Sequence, residues 1–95
     1  MIRERDGRVY VGGPVTLENA TVLLREMSKY IGREQRIIDF SEVTEIDSAA
    51  VSLMLELSRK ARAAGGSVCF ANLGDSITSL TDLYGVEDLI APAGS

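Results

Sequence analysis

An aspartate and a serine stand side by side at the start of a long apolar run, in the stretch TEIDSAAVSLMLEL at residues 44–57. A serine beside a carboxylate raises the question of nucleophilic catalysis. The usual base is missing, however, because the chain contains no histidine. Ser48 is therefore a poor nucleophile beside Asp47, and we expect a protein that is not an enzyme.

The residue types also argue against a metal centre. Zinc sites need Cys and His groups at short spacing, and the chain has one cysteine, Cys69, and no histidine. The carboxylates of this region fall in a predicted connection between a strand and a helix, where acidic side chains more often cap helices and shape turns. They are Asp39, Glu42, Glu45 and Asp47. We therefore predict no metal and no cofactor, and we interpret Cys69 as a small buried hydrophobic residue.

Three roles remain for Ser48. As a helix N-cap, Ser48 or Asp47 would accept hydrogen bonds from backbone N–H groups of the first turn. As a phosphate acceptor, Ser48 would place a dianion where the helix dipole stabilises it, although Asp47 and Glu45 would oppose the added charge. As an unmodified contact, it would offer a partner a small hydroxyl at the helix tip.

Hydrophobic periodicity and turn signals predict the elements that position this pair. In chain order they are a hairpin at residues 2–11, a helix at 17–31, a strand at 35–40, a helix at 48–64, a strand at 67–73 and a helix at 74–85. Asp6-Gly7 suits the two-residue turn of the hairpin. Thr16 is the expected N-cap of the first helix, and the segments GGPVT and SEVTEID are expected to be loops.

The third predicted helix places Ile77, Leu80 and Tyr84 on one face, with Gly85 as its C-cap and a short last turn after it. The order ββαβαβα predicts a single α/β domain over residues 1–95, a small mixed β-sheet with its helices packed on one face.

The helix predicted at 48–64 has two distinguishable sides at about 100° per residue. The expected core face consists of Ala50, Leu53, Met54, Leu57, Ala61 and Ala64. Ser48, Ser52 and Arg59 are expected to face solvent, with Leu55 on that side and Val51 at its flank. An exposed apolar pair beside small hydroxyls suggests a docking surface.

Composition excludes several classes of partner. The net charge is −4, and no cluster of Lys and Arg with interleaved aromatic residues provides the footprint of a nucleic-acid-binding protein. No apolar run approaches the roughly 20 residues that span a bilayer, and the first residues lack the apolar core of a signal peptide. We expect a cytoplasmic protein with no direct contact to nucleic acid or membrane.

The stretch IIDFSEVTEIDSAAVSLML resembles the core signature of STAS domains, the family of anti-sigma factor antagonists. In that signature, a strand ending in Asp leads through a short loop to an Asp-Ser or Asp-Thr pair that opens a helix. The resemblance extends over most of the chain and implies the STAS fold, which agrees with the element order predicted above.

Two subfamilies compete. The segments GGPVTLENATVLL and FANLGDSITSLTDLYGVEDLIAP look most like the MlaB-type STAS protein of Gram-negative bacteria. That resemblance implies a cytoplasmic subunit that binds the ATPase of an ABC transporter moving phospholipids between the two membranes, with the Ser48 region at the contact. We therefore predict Ser48 as the central partner contact, with Asp47 ordering the loop and cap. The outward side of the helix extends the predicted partner-binding surface to Ser52, Leu55 and Arg59.

The anti-sigma factor antagonists instead carry, at the position of Ser48, a serine that a partner kinase phosphorylates. Their motif usually continues Ser/Thr-Gly, whereas this chain has Ala49-Ala50. They also tend to have an acidic residue in the loop before the first helix, where this chain has GPVT at residues 13–16. Both departures weaken the kinase interpretation, but Ser48 remains chemically competent as an acceptor.

Overall fold

A four-stranded sheet and the helices that cover it position the candidate site. The computed structural model describes residues 2–75 and 77–79. Its elements are β1 (Ile2–Arg5), β2 (Arg8–Val15), α1 (Ala20–Ser28), β3 (Gln35–Ile46), α2 (Ala49–Ala63) and β4 (Ser67–Ala71). The strands lie in the order β1-β2-β3-β4. The helices of the described part of the chain are too short and too polar to cross a membrane.

The sheet is mixed, as predicted. β1 pairs with β2 antiparallel, and β2–β3 and β3–β4 are both parallel pairs. The hairpin turns at Asp6 and Gly7, whose φ angles are 55° and 80°. Two consecutive positive φ values are what a type I′ turn requires, so the predicted Asp-Gly turn is confirmed.

One core joins the sheet to the helices. Alternate strand residues point to the helix side because successive side chains of a strand face opposite ways. On this side the rings of Phe40 and Phe70 meet edge to face with centroids 6.1 Å apart. The buried residues of α2 are Ala50, Val51, Leu53, Met54, Leu57 and Ala61. The predicted core face is thus confirmed except for Ala64, which is exposed beyond the end of α2.

Both predicted loops before the helices are wrong, because the strands continue through them. β2 includes the segment GGPV, and β3 includes SEVTEI. The two strands pair as far as Val15 and Ile46, with register shifts between Tyr10 and Gly12 and between Gly13 and Pro14. These irregularities accommodate the glycines and the proline in a strand, because bulges tolerate residues that a regular ladder excludes. The result is a sheet that extends to the start of α2.

The first helix begins three residues later than expected, and Thr16 is not its N-cap. Residues 16–19 form a turn in which the Thr16 carbonyl accepts N–H bonds from Asn19 at 3.1 Å and Ala20 at 2.9 Å. The Asn19 amide oxygen accepts the Thr16 N–H at 2.9 Å, and its nitrogen donates to the Pro14 carbonyl at 2.9 Å. The Asn19 side chain thus holds this turn by hydrogen bonds on both sides. Residues 16–19 therefore adopt the turn instead of the helix that hydrophobic periodicity predicts.

The helix and strand that follow β3 agree with the sequence predictions. α2 ends where expected, since the Gly66 N–H donates to the Ala61 carbonyl at 2.9 Å while Gly65 has a φ of 85°. Residues 74–75 and 77–79 are helical, and Ile77 is buried as predicted. Leu80, Tyr84, Gly85 and the predicted last turn lie outside the described residues.

Asp39 is the only buried charged side chain among the described residues, with 2% of its surface exposed. It lies on the opposite face of β3 from Ile38 and Phe40. Its carboxylate accepts bonds from Arg8 Nη1 at 2.7 Å, from Asn72 Nδ2 at 2.9 Å and from the Ser41 N–H at 2.7 Å. Burial raises the pKa of this carboxyl, but the bonds from Ser41, Arg8 and Asn72 together lower the pKa below its usual value. Asp39 therefore ties β2, β3 and the end of β4 together.

Replacing Asp39 with asparagine should destabilise the fold at neutral pH. Asp39→Asn leaves the Arg8 guanidinium without its counter-ion, and we expect a loss of about 1–3 kcal/mol in the free energy of unfolding at pH 7. Because the folded pKa is lowered, the carboxylate stabilises the fold above its unfolded pKa of about 3.9, and this contribution disappears as the pH falls through the folded pKa. Urea unfolding of both proteins at pH 7 and at pH 3 measures the difference, which should shrink in acid.

A matched control is Glu42→Gln. Glu42 lies on the same strand and pairs with Arg3, but both side chains are more than 40% exposed. We expect a change of less than about 1 kcal/mol for this variant. Equal losses for the two variants would contradict the role assigned to Asp39.

Candidate partner-binding site

The Asp47 carboxylate fixes the geometry of the site. Oδ1 accepts the Ala49 N–H at 2.8 Å, and Oδ2 accepts the Leu17 N–H at 3.0 Å. The backbone N–H of Asp47 in turn donates to the Val15 carbonyl at 3.3 Å. One side chain therefore satisfies an otherwise unpaired N–H at the start of α2 and holds the turn at residues 16–19 beside it.

Ser48 stands at the N-cap position of α2 but does not cap it with its side chain. Its φ and ψ angles are −62° and −17°, which are helical, whereas a capping serine adopts an extended conformation that aims its oxygen at the first turn. Its hydroxyl has no hydrogen-bond partner among the described residues, and the residue is exposed. Of the two predicted caps, Asp47 is the residue that caps α2, and the Ser48 hydroxyl remains available for other hydrogen bonds.

A groove separates the N-terminal halves of the two helices, next to Ser48. It has a volume of about 370 Å³. Its walls are Leu17, Ala20, Thr21 and Leu24 on one side and Asp47, Ser48, Ala49, Ser52, Leu53 and Glu56 on the other. The side chains are mostly small where the two helices face each other, so they leave the space between the helices unfilled. The groove brings Asp47, Ser48 and Ser52 of the predicted site together.

The predicted exposed apolar pair on α2 does not exist. Val51 is 4% exposed and belongs to the core, and Leu55 is half-buried and packs against the core. Buried residues occupy a wider arc of α2 than a single apolar stripe predicts. Ile77 belongs to the same buried cluster. The helical residues that follow β4 thus extend the core beyond the residues that the periodicity of α2 predicts to be buried.

The polar residues predicted to face outward do so. Ser52 and Arg59 are exposed, and Arg59 Nη1 pairs with Glu56 Oε1 at 2.6 Å, three residues apart on α2. Arg59 is not part of the groove lining, but Glu56 is. The predicted partner-binding residues therefore divide into Asp47, Ser48 and Ser52 at the groove, and Leu55 and Arg59 outside its lining.

The residue that the sequence analysis missed is Leu17. It is 78% exposed, and Val22 on α1 is 47% exposed; these are the exposed large hydrophobic residues of the described part of the chain. The predicted first helix begins at residue 17, three residues before α1, and therefore places Leu17 in a helix instead of in this tight turn. A leucine between Thr16 and Glu18, outside the apolar stripe of α1, was the available signal.

Three of the four candidate carboxylates lie in the sheet. Asp39, Glu42 and Glu45 lie in β3 rather than in a connection, and Asp39 and Glu42 are paired with arginines. No group of three or more potential ligand side chains that could hold a metal ion is present among the residues that the structure describes. The site therefore offers hydroxyls, carboxylates, apolar surface and a helix N-terminus, which are groups suited to binding.

The described residues form a small α/β module with an exposed helix tip and a groove beside it. Residues 1–94 match the family model of the STAS domain. The chain belongs to the STAS family. A search of curated proteins found no significant match.

Solved structures share this fold at low sequence identity. The anti-sigma factor antagonist SpoIIAA in its unphosphorylated form is 16% identical with a TM-score of 0.73, covering 100% of this chain and 88% of that one. A putative anti-sigma factor antagonist from Thermotoga maritima is 14% identical with a TM-score of 0.77, covering 97% and 83%.

A domain of a membrane transporter has the same fold. The murine anion transporter, solute carrier 26 family member A9, is 18% identical with a TM-score of 0.73. The match covers 90% of this chain and 15% of that much longer one. Structural relatives thus include both free-standing antagonists and a transporter domain.

The unequal capping roles of Asp47 and Ser48 predict unequal effects on stability. Asp47→Ala removes the acceptor of two backbone N–H groups, and we expect a loss of about 1–2 kcal/mol in the free energy of unfolding. Ser48→Ala is the matched control and should change it by less than about 0.5 kcal/mol, because its hydroxyl caps nothing. Urea denaturation measures both, and a larger loss for Ser48→Ala would contradict the assignment.

Proposed function

We propose that this chain is a non-enzymatic STAS subunit of the MlaB type, which binds the ATPase of an ABC transporter for phospholipids and supports its assembly and activity. In this proposal the protein is cytoplasmic and reaches the inner membrane only through its partner. Any nucleotide belongs to the ATPase, and the chain itself needs no cofactor.

The observation that carries the proposal is the exposed, unbonded hydroxyl of Ser48 at the tip of α2. The interaction of Asp47 with both neighbouring segments gives this tip a defined shape. A pre-organised surface of this kind binds without ordering its own backbone, which reduces the entropic cost of association. Ser48 would be the central contact, positioned by Asp47.

The remaining predicted contacts extend this surface along α2. Ser52 lies one turn after Ser48 on the same side, and Arg59 lies further along with its side chain 74% exposed. Leu55 is half-buried, so it would contribute only its accessible edge. The proposed interface is therefore dominated by small polar groups near the tip, with one cation at the rim.

A bulky substitution at the tip should abolish binding to the ATPase without unfolding the protein. Ser48→Trp places a large side chain on the proposed contact, where the native side chain is exposed. We expect the ABC ATPase of the same organism to co-purify with the wild-type chain and to be lost from the variant. Pull-down from cells, with circular dichroism of the purified variants, measures this outcome.

Ser67→Trp is the control for that experiment. Ser67 is exposed at the first position of β4, and α2 begins at the opposite end of the parallel strands, after β3. It should retain the ATPase. If neither wild type nor Ser67→Trp captures the ATPase, the transporter proposal is wrong. If all three capture it, the tip of α2 is not the contact.

The alternative function is a phospho-regulated anti-sigma factor antagonist. Both solved antagonists cover the chain almost completely, and an exposed serine hydroxyl at a helix N-terminus is accessible to a kinase. A phosphate on Ser48 would gain from the helix dipole, while Asp47 would repel it. The phosphorylated and unmodified forms would therefore present different charges to a partner.

Phosphorylation can be tested by intact mass. Incubation with the anti-sigma factor kinase of the same organism and ATP should add the mass of one phosphate if the alternative is correct. Ser48→Ala should abolish the gain, and Ser52→Ala should retain it as the matched control. An unchanged wild-type mass would count against the alternative.

A further inference from the structure

The groove beside Ser48 has the composition of a pocket for an apolar side chain. Leu17 is 78% exposed at its edge, and Leu24 and Leu53 line it from the two helices. A leucine this exposed at the mouth of an apolar groove leaves apolar surface in water, and burying that surface would be favourable. Covering Leu17 would remove this surface from water, and the volume of about 370 Å³ has room for a few side chains rather than for a whole element.

The charged side chains that line the groove are both acidic, and one of them, Glu56, is paired with Arg59 at the rim. Asp47 and Glu56 are its charged lining residues in the described part of the chain, and Glu18 is exposed next to Leu17. Arg59, the partner of Glu56, lies outside the lining. The backbone bonds of Asp47 use one acceptor position on each oxygen and leave others open. A ligand that carries positive charge is therefore complementary to the groove.

We infer that the groove receives a basic amphipathic helix of the partner, whose apolar side chains cover Leu17 and the accessible part of Leu24 while a flanking Lys or Arg meets the carboxylates of Glu56 and Asp47. This inference rests on the proposed function and names the chemistry of the segment that the partner contributes. A helix placed in a groove presents apolar side chains at a spacing of three and four residues, which matches a short groove between two helices. The Ser48 hydroxyl lies at the end of this groove, so one segment can contact both.

Charge substitutions at Leu17 test the apolar contact and the sign of the partner together. The dissociation constant of each variant for the purified ABC ATPase subunit is measured at fixed ionic strength. Leu17→Arg should weaken binding at least tenfold, roughly the effect of removing a hot spot, because it removes the apolar contact and adds repulsion. Leu17→Glu should weaken it less, by a margin of roughly threefold, because its charge opposes that of the partner.

Val22→Arg is the matched control, since Val22 is an exposed apolar residue of α1 that does not line the groove. It should bind within about threefold of wild type. Ser52→Phe fills the groove from the opposite wall and should reproduce the loss seen with Leu17→Arg. All these side chains are exposed, so the thermal midpoints should stay near that of wild type.

The outcomes separate the two proposals. If wild type does not bind the ATPase, the proposed function is wrong and this inference falls with it. If wild type binds but Leu17→Arg and Val22→Arg have equal affinity, the groove is not used and only the inference is overturned. If Leu17→Glu binds more weakly than Leu17→Arg, the occupant is not basic, and the inference is overturned as well.

Discussion

The interaction on which the site depends is the pair of backbone N–H groups held by Asp47. One oxygen fixes the start of α2, and the other holds the turn before α1. Two helices that are far apart in the sequence therefore begin at a common point. Because the carboxylate takes over capping, Ser48 adopts a helical conformation and its hydroxyl is left free. The Ser48 hydroxyl is thus available because Asp47, and not Ser48, caps the helix.

The β-sheet positions the residues that surround Asp47. Asp39 joins β2, β3 and the end of β4 through Arg8, Ser41 and Asn72, and it does so in a buried position where an unpaired charge would be strongly destabilising. Beyond Asp39 the strands β2 and β3 continue together through two register shifts. They carry Val15 and Ile46 to the level of the helix N-termini, where Asp47 bonds to Val15. The irregular end of the sheet is thus what places the turn against α2.

The tip of α2 exposes groups that can form hydrogen bonds and apolar contacts. The chain lacks histidine, its buried carboxylate is occupied by structural bonds, and the groups at the tip of α2 are a hydroxyl, small side chains and an exposed leucine. The STAS family relates the chain to anti-sigma factor antagonists and to a transporter domain that share its fold. The two functional hypotheses use the same serine, one as a contact and the other as a phosphate acceptor, and they differ in the partner that reaches it.

The order of the described elements, the hairpin turn, the core stripe of α2 and the position of the Asp47-Ser48 pair can be predicted from the amino-acid sequence, because these follow from local periodicity and from residues with specific turn geometry. Packing between distant segments sets which of the pair caps the helix, how far β2 and β3 extend, and that Val51 is buried while Leu17 is exposed. These features depend on contacts between segments about 30 residues apart, such as Asp47 with Leu17 and Asp39 with Arg8. The period of a single helix or strand carries no information about a contact that distant, so the surface at the tip of α2 forms only when the elements are packed.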